Sequence, residues 1–327
     1  VGVISSSLGA HGSAGPKDVC VDPADNDHAH LIPLVRLGSD SYNDQGYLKW
    51  VPDGLANPPG ESDVAAFTSS LATMIESAGE TGCGYEAQLE SVYRFLVDPE
   101  PPKSVELLPN NAQTAPIGVD EALLAQRANF LRPDSSVVVL MLTDENDCSI
   151  QDEGYGWLVS RAAPMYRSTS ICQANPNDPC CQSCAEQTAN TGCPQLNEDP
   201  ECAQGITLPV ADDDLNLRCY RQKERFGFDL LYSTDRYVSG FGDGQVLNRA
   251  GGLVDNPLFH RDGVARDRSL FTFAVIGGVP WQDIATTGSL TSDGLEFMTA
   301  DELNSNKRWA AILGDPKNNV EPLDPFV

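Results

Sequence analysis

A continuous apolar run at residues 136–142 (SVVVLML) is the strongest structural signal in the chain, and it leads directly into the polar stretch 143–147 (TDEND). An uninterrupted apolar run of this kind is typical of a central strand in a parallel sheet, because both faces of such a strand are covered. Residues 270–277 (LFTFAVIG) form a second run of the same character. We therefore expect two buried strands that are separated by a long intervening segment.

Helical periodicity precedes the first of these strands. Apolar residues recur at three- and four-residue spacing within 62–79, 85–96 and 119–131, which predicts three amphipathic helices. The opening residues 1–8 (VGVISSSL) are expected to form a further buried strand that leads into a loop. Helices that alternate with apolar strands indicate an α/β fold.

The chain divides into three parts by composition. Residues 1–148 carry the predicted helices and the first strong strand, and we expect them to form the core. Residues 149–269 have little regular patterning and hold most of the cysteines, which predicts a long, irregular, disulfide-rich insertion. Residues 270–327 then supply the last core strand, a modest helix near 300–313 and an irregular proline-rich tail.

The charge of the chain excludes several classes of partner. Asp and Glu total 47 and Lys and Arg total 21, so the formal net charge is −26. Phosphate backbones and anionic membrane surfaces repel such a chain, and we therefore expect no nucleic-acid partner. No apolar run approaches the roughly 20 residues of a membrane-spanning helix, so no transmembrane segment is expected. Hydrophobic residues still make up 41% of the chain, which is enough for a core.

The ten cysteines indicate an oxidising, extracytoplasmic location, such as the periplasm, the cell surface or the medium. Cys181 and Cys184 also have the spacing of zinc ligands, but no second pair with that spacing follows and the histidines lie far away in the sequence. Disulfides are therefore the favoured interpretation, although their connectivity cannot be read from the sequence. The disulfide candidates are Cys20, Cys83, Cys148, Cys172, Cys180, Cys181, Cys184, Cys193, Cys202 and Cys219.

Three carboxylates follow the strand predicted at residues 136–142, and they belong to Asp144, Glu145 and Asp147. Hard cations such as Ca²⁺ and Mg²⁺ prefer oxygen ligands, so these residues are candidate metal ligands. The same stretch suits a loop whose Asp caps the next helix, and the residue types alone do not separate the two roles. In open α/β sheets ligands bind at the carboxyl ends of strands, where we also expect the serine run 5–7.

A second polar cluster has the sequence DPADNDHAH. The spacing of Asp22, Asp25 and Asp27 suits a Ca²⁺ loop, but the Gly and the terminal Glu of an EF-hand loop are absent. His28 and His30 have a spacing that suits a transition metal. An exposed acidic loop without a metal is the simpler interpretation.

Motifs of common enzyme classes are absent from the sequence. It has no Gly-x-Ser-x-Gly elbow, no phosphate-binding P-loop and no His-Glu-x-x-His zinc motif. It also lacks the Cys-x-x-Cys-His sequence that attaches haem. We therefore expect a protein that is not an enzyme and that binds no haem, nucleotide or flavin.

Several short stretches resemble von Willebrand factor A-type domains. Residues 138–145 (VVLMLTDE) are similar to the strand and third metal-binding segment of those domains. More narrowly, the chain resembles a family of secreted, cysteine-bearing A-type proteins that is common in myxobacteria and their relatives. The stretches that carry this narrower resemblance are GVISSSLG at 2–9, GCGYE at 82–86, NFLR at 129–132, TDENDCS at 143–149 and GVPWQ at 278–282.

The resemblance implies a Rossmann-like central sheet, flanked by helices, with a metal-ion-dependent site at its top. In the family, that site takes an Asp-x-Ser-x-Ser motif, a Thr from a second loop and an Asp from a third. Asp144 matches the third position, whereas Cys83 stands where the Thr is usual. Thr81 or Glu86 is then expected to substitute for that Thr. The Asp-x-Ser-x-Ser motif, with the first strand and helix, is expected upstream of Val1.

Together these features predict a binding function. We expect an extracytoplasmic adhesion module that recognises a protein partner through the loops at the carboxyl ends of its sheet, with Ca²⁺ or Mg²⁺ assisting and with Asp144 as the main ligand. The alternative is a metal-free structural subunit of a larger cell-envelope or extracellular complex. The cysteine at the Thr position and the missing first motif favour this alternative. A dependence of partner binding on a divalent cation would separate the two.

Overall fold

A computed structural model describes residues 1–109, 112–261, 263–291, 294–315, 318, 320, 322 and 323, which form a mixed fold of short helices and small sheets. The helices are α1 (Ile32–Val35), α2 (Val64–Glu76), α3 (Gln88–Leu96), α4 (Glu121–Phe130), α5 (Ile171–Ala174), α6 (Gln222–Phe226), α7 (Thr234–Gly242), α8 (Trp281–Ile284), α9 (Ala300–Ser305) and α10 (Arg308–Leu313). The strands are β1 (Ser104–Leu107), β2 (Thr114–Ile117), β3 (Val137–Thr143), β4 (Gln245–Leu247), β5 (Leu253–Asp255), β6 (His260–Arg261), β7 (Val264–Ala265) and β8 (Phe271–Gly277). Of the predicted tail, residues 316, 317, 319, 321 and 324–327 lie outside the described residues.

Strands β3 and β8 pair in parallel, and they coincide with the two apolar runs of the sequence. Val137 lies opposite Phe271 and Thr143 lies opposite Gly277, so the whole of each strand takes part. Within the described ranges every sheet has two strands, and no third strand joins this pair. The mixed helix and strand fold is thus confirmed, whereas a wider Rossmann-like sheet stays a prediction.

The main core lies between one face of the β3–β8 pair and helices α3, α4 and α7. Val92 on α3, Leu123 on α4 and Tyr237 on α7 are buried in it, and Val139 and Phe273 pack against it from the two strands. Because neighbours cover α3 on several sides, most of its residues are buried, including polar ones. The other face of the strand pair lies outside this core, so β3 is not covered on both faces in the way that its sequence predicts.

The three predicted helices are present as α2, α3 and α4, each shorter than its apolar pattern. The predicted apolar face of α2 is only partly covered, because Val64 and Ile75 face solvent while Phe67 and Leu71 are half-buried. Met74 is the buried residue of this helix, and Phe67 packs edge-on against Trp50. Helix α2 therefore lies at the periphery rather than in the core.

The expected strand at residues 1–8 is not formed, and this prediction is wrong. Its carbonyl oxygens accept hydrogen bonds from the backbone N–H groups of Asp27 and Ile32, of Leu48 and of Ala87, which belong to three separate segments. Since no single neighbour runs alongside it, the segment makes isolated bridges instead of a ladder.

The single helix expected near residues 300–313 is also wrong, because the chain breaks it into α9 and α10. Lys307 stands between the two helices with a φ of 53°, a left-handed conformation that an α-helix cannot continue through. Thr299 begins α9 with a capping box, in which its hydroxyl and the Glu302 carboxylate each accept a backbone N–H.

The cysteine-rich segment 149–269 is rich in turns, as predicted. Its residues Ile150, Met165 and Phe226 lie in a second core, which Ala10 and Tyr85 of the amino-terminal part share. Its second half differs from the expected irregular insertion. Helix α7 and the β4–β5 hairpin follow one another there, and Val246 on β4 is buried in the main core beside Tyr237 on α7. This half of the segment is therefore part of the main core.

The ten cysteines form five disulfides, which confirms the disulfide interpretation. Cys181 and Cys184 belong to different disulfides, so they do not form a zinc site. Disulfides in such number are typical of proteins outside the cytoplasm. Among the described residues, no helix combines the length and the apolar character needed to cross a bilayer. The bonds are Cys20–Cys83, Cys148–Cys219, Cys172–Cys181, Cys180–Cys193 and Cys184–Cys202.

Candidate functional site

The carboxyl end of β3 is joined by hydrogen bonds to the amino-terminal serine run. Gln88, the first residue of α3, donates from Nε2 to Thr143 Oγ1 at 2.9 Å and to Glu86 Oε2 at 3.0 Å. Ser6 Oγ donates to the same Glu86 oxygen at 3.2 Å. Three segments that are distant in sequence therefore meet where β3 ends. The serine run reaches this point without the strand that was expected to carry it.

Asp147 serves as a helix cap rather than as a free ligand. Its Oδ1 accepts the Leu89 backbone N–H at 2.8 Å, and its two oxygens also accept the backbone N–H and the hydroxyl of Ser149 at 3.0 Å each. Burial raises the pKa of Asp147, although these hydrogen bonds oppose the shift. Asp147 thus caps a helix, but this helix is α3, which precedes it in the chain, and not the next helix that the sequence suggested.

Asp144 and Glu145 remain candidate ligands, but the described residues do not bring a third metal-binding side chain into one cluster with them. Both are exposed, and within the described residues neither side chain has a hydrogen bond or an ion pair. Glu86 lies nearby in the chain of hydrogen bonds that Gln88 makes. In the part of the chain that the structure describes, no group of three or more His, Cys, Asp or Glu side chains is arranged to hold a metal ion.

The carboxylates of the second polar cluster, at residues 22–30, do not converge on one point either. Asp22 accepts the Ala24 backbone N–H at 2.9 Å and begins a short turn. Asp27 is buried, and Arg36 donates to it from Nε at 2.9 Å and from Nη2 at 2.6 Å. Asp25 contributes its backbone carbonyl to the Ser7 hydroxyl. These contacts are structural, and Asp27 is occupied by an ion pair.

One face of the β3–β8 pair is apolar and exposed, and we call it the apolar strand face. In the strand register Leu140 lies opposite Ala274 and Leu142 lies opposite Ile276. The exposed fractions of the large side chains on this face lie between 57% and 68%. The face leads directly to Asp144 and Glu145 at the carboxyl end of β3. It consists of Val138, Leu140, Leu142, Ala274 and Ile276.

A buried ionic network involves Glu90 and Arg94 of α3, and none of its residues is among the candidates predicted from the sequence. Asp152 accepts from Arg94 Nη2 at 2.6 Å and from His11 Nδ1 at 3.0 Å. Arg236 binds both carboxylate oxygens of Glu90 at 3.0 Å. Burial by itself would raise the pKa of Asp152, but Arg94 and His11 outweigh it, so this pKa lies below its ordinary value. Asp152 is therefore ionised at neutral pH.

A cavity of about 460 Å³ lies beside this network. His11 and Arg94 line it from the buried side, and Asp22, His28 and Glu106 line it as well. Burial lowers the pKa of His28, with the neighbouring His30 adding to the effect, so His28 is neutral at pH 7. For the ionic network, the sequence offers the Glu90 and Arg94 pair, whose four-residue spacing places both side chains on one face of α3. Asp22 and His28, which line the cavity, belong to the second polar cluster of the sequence.

Comparison of the chain with protein-family models, with curated proteins and with solved structures finds no match in any of the three. A function for this protein therefore rests on the geometry and the chemistry of its own residues.

Proposed function

We propose that the chain is an extracytoplasmic binding module whose protein partner docks on the apolar strand face and on the loop that follows β3. The observation that carries this proposal is the exposure of Val138, Leu140, Leu142 and Ile276 on one side of a parallel strand pair. Parallel strands are ordinarily covered on both faces. Contiguous exposed apolar surface with a polar rim is typical of interaction sites.

The strand pair also offers backbone groups to a partner. Strands β3 and β8 each have one edge that makes no backbone pairing within the described ranges. A strand added beside β3 would satisfy its N–H and C=O groups and would place alternate side chains next to Leu140 and Leu142 on the same face. A two-stranded sheet alone is only marginally stable, so this addition would stabilise the pair itself.

The charge distribution favours a partner with basic side chains over a second copy of this chain. Asp144 and Glu145 stand exposed at the carboxyl end of β3. A partner strand that carries Lys or Arg next to its apolar residues would complement these carboxylates and would be steered towards them. The formal net charge of −26 opposes the close approach of two copies.

There are two versions of this function, and they differ in whether a divalent cation assists binding. One is a cation-assisted binding module, and the other is a metal-free structural subunit of a larger envelope or extracellular complex. The resemblance of residues 138–145 to the A-type metal-binding segment supports Ca²⁺ or Mg²⁺ at Asp144, with Glu145 and Glu86 as further ligands. Two observations favour the subunit. Cys83, at the usual Thr position, is bonded to Cys20, and the described residues contain no ready cluster of three ligands.

A thermal melt distinguishes these two roles of the surface. The protein is treated with chelator and then titrated with Ca²⁺ and, separately, with Mg²⁺. A saturable rise of the melting midpoint that Asp144→Ala abolishes supports the cation-assisted module, because selective binding must stabilise the native state. A midpoint that does not move, or that moves equally in Asp144→Ala, supports the metal-free subunit.

Site-specific crosslinking tests the binding surface. A photoreactive residue is placed at Leu140 and, as a matched control, at Leu247, an equally exposed leucine on β4. The two proteins are irradiated with the envelope and secreted proteins of the source cells, and captured proteins are identified and purified. We expect one protein to crosslink through position 140 and not through position 247.

The affinity of that purified protein for the wild type and for two variants then tests the proposal. We expect Leu140→Arg to weaken binding at least tenfold, since a charge in a desolvated apolar contact costs more than the roughly 1.4 kcal/mol that a tenfold change represents. Leu247→Arg should bind as the wild type does. Equal binding by both variants, or capture of a second copy of this chain through position 140, would overturn the proposal.

A further inference from the structure

Three hydrogen bonds join the loop that precedes α1 to helix α4, and both ring nitrogens of His30 take part. His30 Nε2 lies 2.7 Å from Asp120 Oδ2, at the residue that begins α4. Gln126 Nε2 lies 2.9 Å from His30 Nδ1, and Gln126 Oε1 accepts the backbone N–H of Leu31 at 3.0 Å. We call this chain of hydrogen bonds the His30 latch.

The partners of the His30 ring fix where its proton lies. Burial by itself would raise the pKa of Asp120, but hydrogen bonds from His30 and from the Leu123 backbone outweigh it, so this pKa lies below its ordinary value. The ionised carboxylate only accepts, so His30 Nε2 carries a proton. Gln126 Oε1 is occupied by the Leu31 N–H, so the NH₂ group of this amide, which only donates, faces His30 Nδ1. Nδ1 therefore accepts, and the latch requires the neutral ring with its proton on Nε2.

A second proton on this ring conflicts with the latch. Both nitrogens of the charged ring are donors, so His30 Nδ1–H would point at the NH₂ group of Gln126, which also donates. If the amide turns to present its oxygen to the ring, the Leu31 N–H loses its acceptor instead. Leu31 is only 1% exposed, so solvent does not replace that acceptor while the loop stays in place. Protonation of His30 therefore breaks a hydrogen bond whichever way the amide turns.

The loop carries a second feature that favours movement once the latch opens. The His30 N–H donates to the Asp27 carbonyl at 2.8 Å and closes a tight turn around His28 and Ala29. These two central residues have left-handed φ values of 54° and 60°, which side chains of their kind rarely adopt, so neighbouring contacts must hold the turn. Those contacts are the latch on one side and the ion pair of Asp27 with Arg36 on the other.

The other charged and titratable groups around the loop do not remove the conflict. His28 lies beside His30, with ring centroids 6.0 Å apart, and burial together with this neighbour lowers its pKa. Asp27, which is already paired, and Arg94 of α3 act on His28 from the remaining sides. Asp120 attracts a charged His30 ring through Nε2, but it offers no acceptor to Nδ1.

We propose that the His30 latch is a pH-sensitive switch, which holds the loop on α4 while the ring is neutral and releases the loop when Nδ1 takes up a proton. Histidine is the side chain that ordinarily changes its charge between pH 5 and pH 8. Release would loosen the amino-terminal segment, because Ile32, directly after this loop, donates its backbone N–H to the Val3 carbonyl at 2.9 Å. It would also move His28, which lines the cavity.

The latch is distinct from the other sites considered for this chain. Both ring nitrogens of His30 are occupied by Asp120 and Gln126, so this ring does not serve as the transition-metal ligand that its spacing from His28 suggested. The latch also shares no residue with the apolar strand face. It therefore stands or falls independently of the proposed protein partner.

NMR of the intact, disulfide-bonded protein tests the ring and the loop together. At pH 7.5 the ¹⁵N resonances of His30 should show a protonated Nε2 and an unprotonated Nδ1, and by pH 5.0 the ring should have taken up its second proton. Protection of the Leu31 amide against hydrogen exchange is compared at the two pH values after correction for the intrinsic exchange rate. It should fall about tenfold more than that of Val97, whose N–H donates to the Tyr93 carbonyl at the end of α3 and reports on opening of the core.

Two variants and a matched control test the cause of release. Gln126→Glu keeps an acceptor for the Leu31 N–H and gives His30 Nδ1–H an acceptor as well, so Leu31 should stay protected at pH 5.0. His30→Gln removes the titrating ring, so the additional loss of protection at Leu31 should disappear. Gln204→Glu adds the same charge at an exposed position away from the latch and should respond to pH as the wild type does.

Several results would overturn the proposal. One is a His30 ring with its proton on Nδ1 at pH 7.5, and another is a ring that takes up no second proton down to pH 5.0. Equal loss of protection at Leu31 and Val97 in the wild type would assign the acid effect to global unfolding. Gln126→Glu that responds to pH as Gln204→Glu does would show that the amide does not control release. If Gln126→Glu does not fold, His30→Gln and the wild-type measurements decide the question.

Discussion

His11 and Asp152 stand 141 positions apart in the chain, yet His11 Nδ1 and Asp152 Oδ1 lie 3.0 Å apart in a buried pair. Asp152 also accepts from Arg94 Nη2 at 2.6 Å. One carboxylate therefore connects the amino-terminal loop, helix α3 and the start of the cysteine-rich segment. Because all three side chains are buried, the loss of this charge would leave Arg94 without its nearest counter-ion.

Asp152→Asn should lower the free energy of unfolding by about 3–5 kcal/mol, the usual effect of removing one partner from a buried ion pair. Urea denaturation followed by tryptophan fluorescence measures this change. Asp144→Asn is the matched control, because Asp144 is exposed and its side chain has no partner among the described residues. The control should stay within about 0.5 kcal/mol of the wild type. Equal stability of the two variants would mean that the network contributes little to folding.

The two faces of β3 should respond differently to the same substitution. Val139 packs against the main core, whereas Leu140 lies on the apolar strand face. Val139→Asp should prevent cooperative folding, since an unpaired buried charge costs several kcal/mol, comparable with the whole stability of a domain. Leu140→Asp should change the stability by less than about 1 kcal/mol. Circular dichroism melts of both variants check this, and a cooperative melt of Val139→Asp would show that this face is not buried.

Denatured, unreduced protein should contain no titratable thiols, because all ten cysteines are bonded.

The stability lost when individual disulfides are removed should increase with the length of the loop that each one closes. The Cys20–Cys83 bond spans 63 positions, and its replacement by two alanines should lower stability by about 4 kcal/mol. The Cys180–Cys193 bond spans 13 positions, and the same replacement should cost about 3 kcal/mol. Denaturant midpoints measure both, and the opposite order would contradict the loop-closure account.

Spacing patterns in the sequence predicted those helices and strands whose apolar face depends on residues close to one another along the chain. The apolar runs at β3 and β8 and the periodicity of α3 and α4 were sufficient, because short-range spacing determines which side of each element is apolar. The start of α3 was not predictable in this way. Gln88 begins the helix because Asp147, 58 positions from Leu89, supplies the capping oxygen.

The buried network was not predictable from the sequence for the same reason. His11, Asp152 and Arg236 lie on separate segments, and no spacing in the sequence marks them as neighbours of Arg94. Asp27 illustrates the reverse case. Its spacing within the acidic loop suited a cation, but Arg36, nine positions away, occupies its carboxylate in the folded chain. A carboxylate-rich loop thus gives the same local pattern whether its partner is a metal or an arginine.

The stability of the protein should fall as the pH decreases below about 6.5, in part because of His28. Burial lowers the pKa of His28 in the folded chain, while the unfolded chain keeps the ordinary histidine value. Between those two values the unfolded state binds more protons, so stability rises with pH there. The contribution of His28 is therefore complete above about pH 6.5 and is lost as the pH falls towards the folded pKa.

His28→Asn isolates this contribution. Asparagine tolerates the left-handed φ of 54° at this position and does not titrate, so the variant should lose less stability than the wild type between pH 7.5 and pH 5.5. Urea midpoints at the two pH values measure the difference for both proteins, and an NMR titration of the wild type should place the His28 ring midpoint below 6.5. An identical pH dependence in the two proteins would assign the acid sensitivity to other groups, because the substitution removes the only titrating atoms of this side chain.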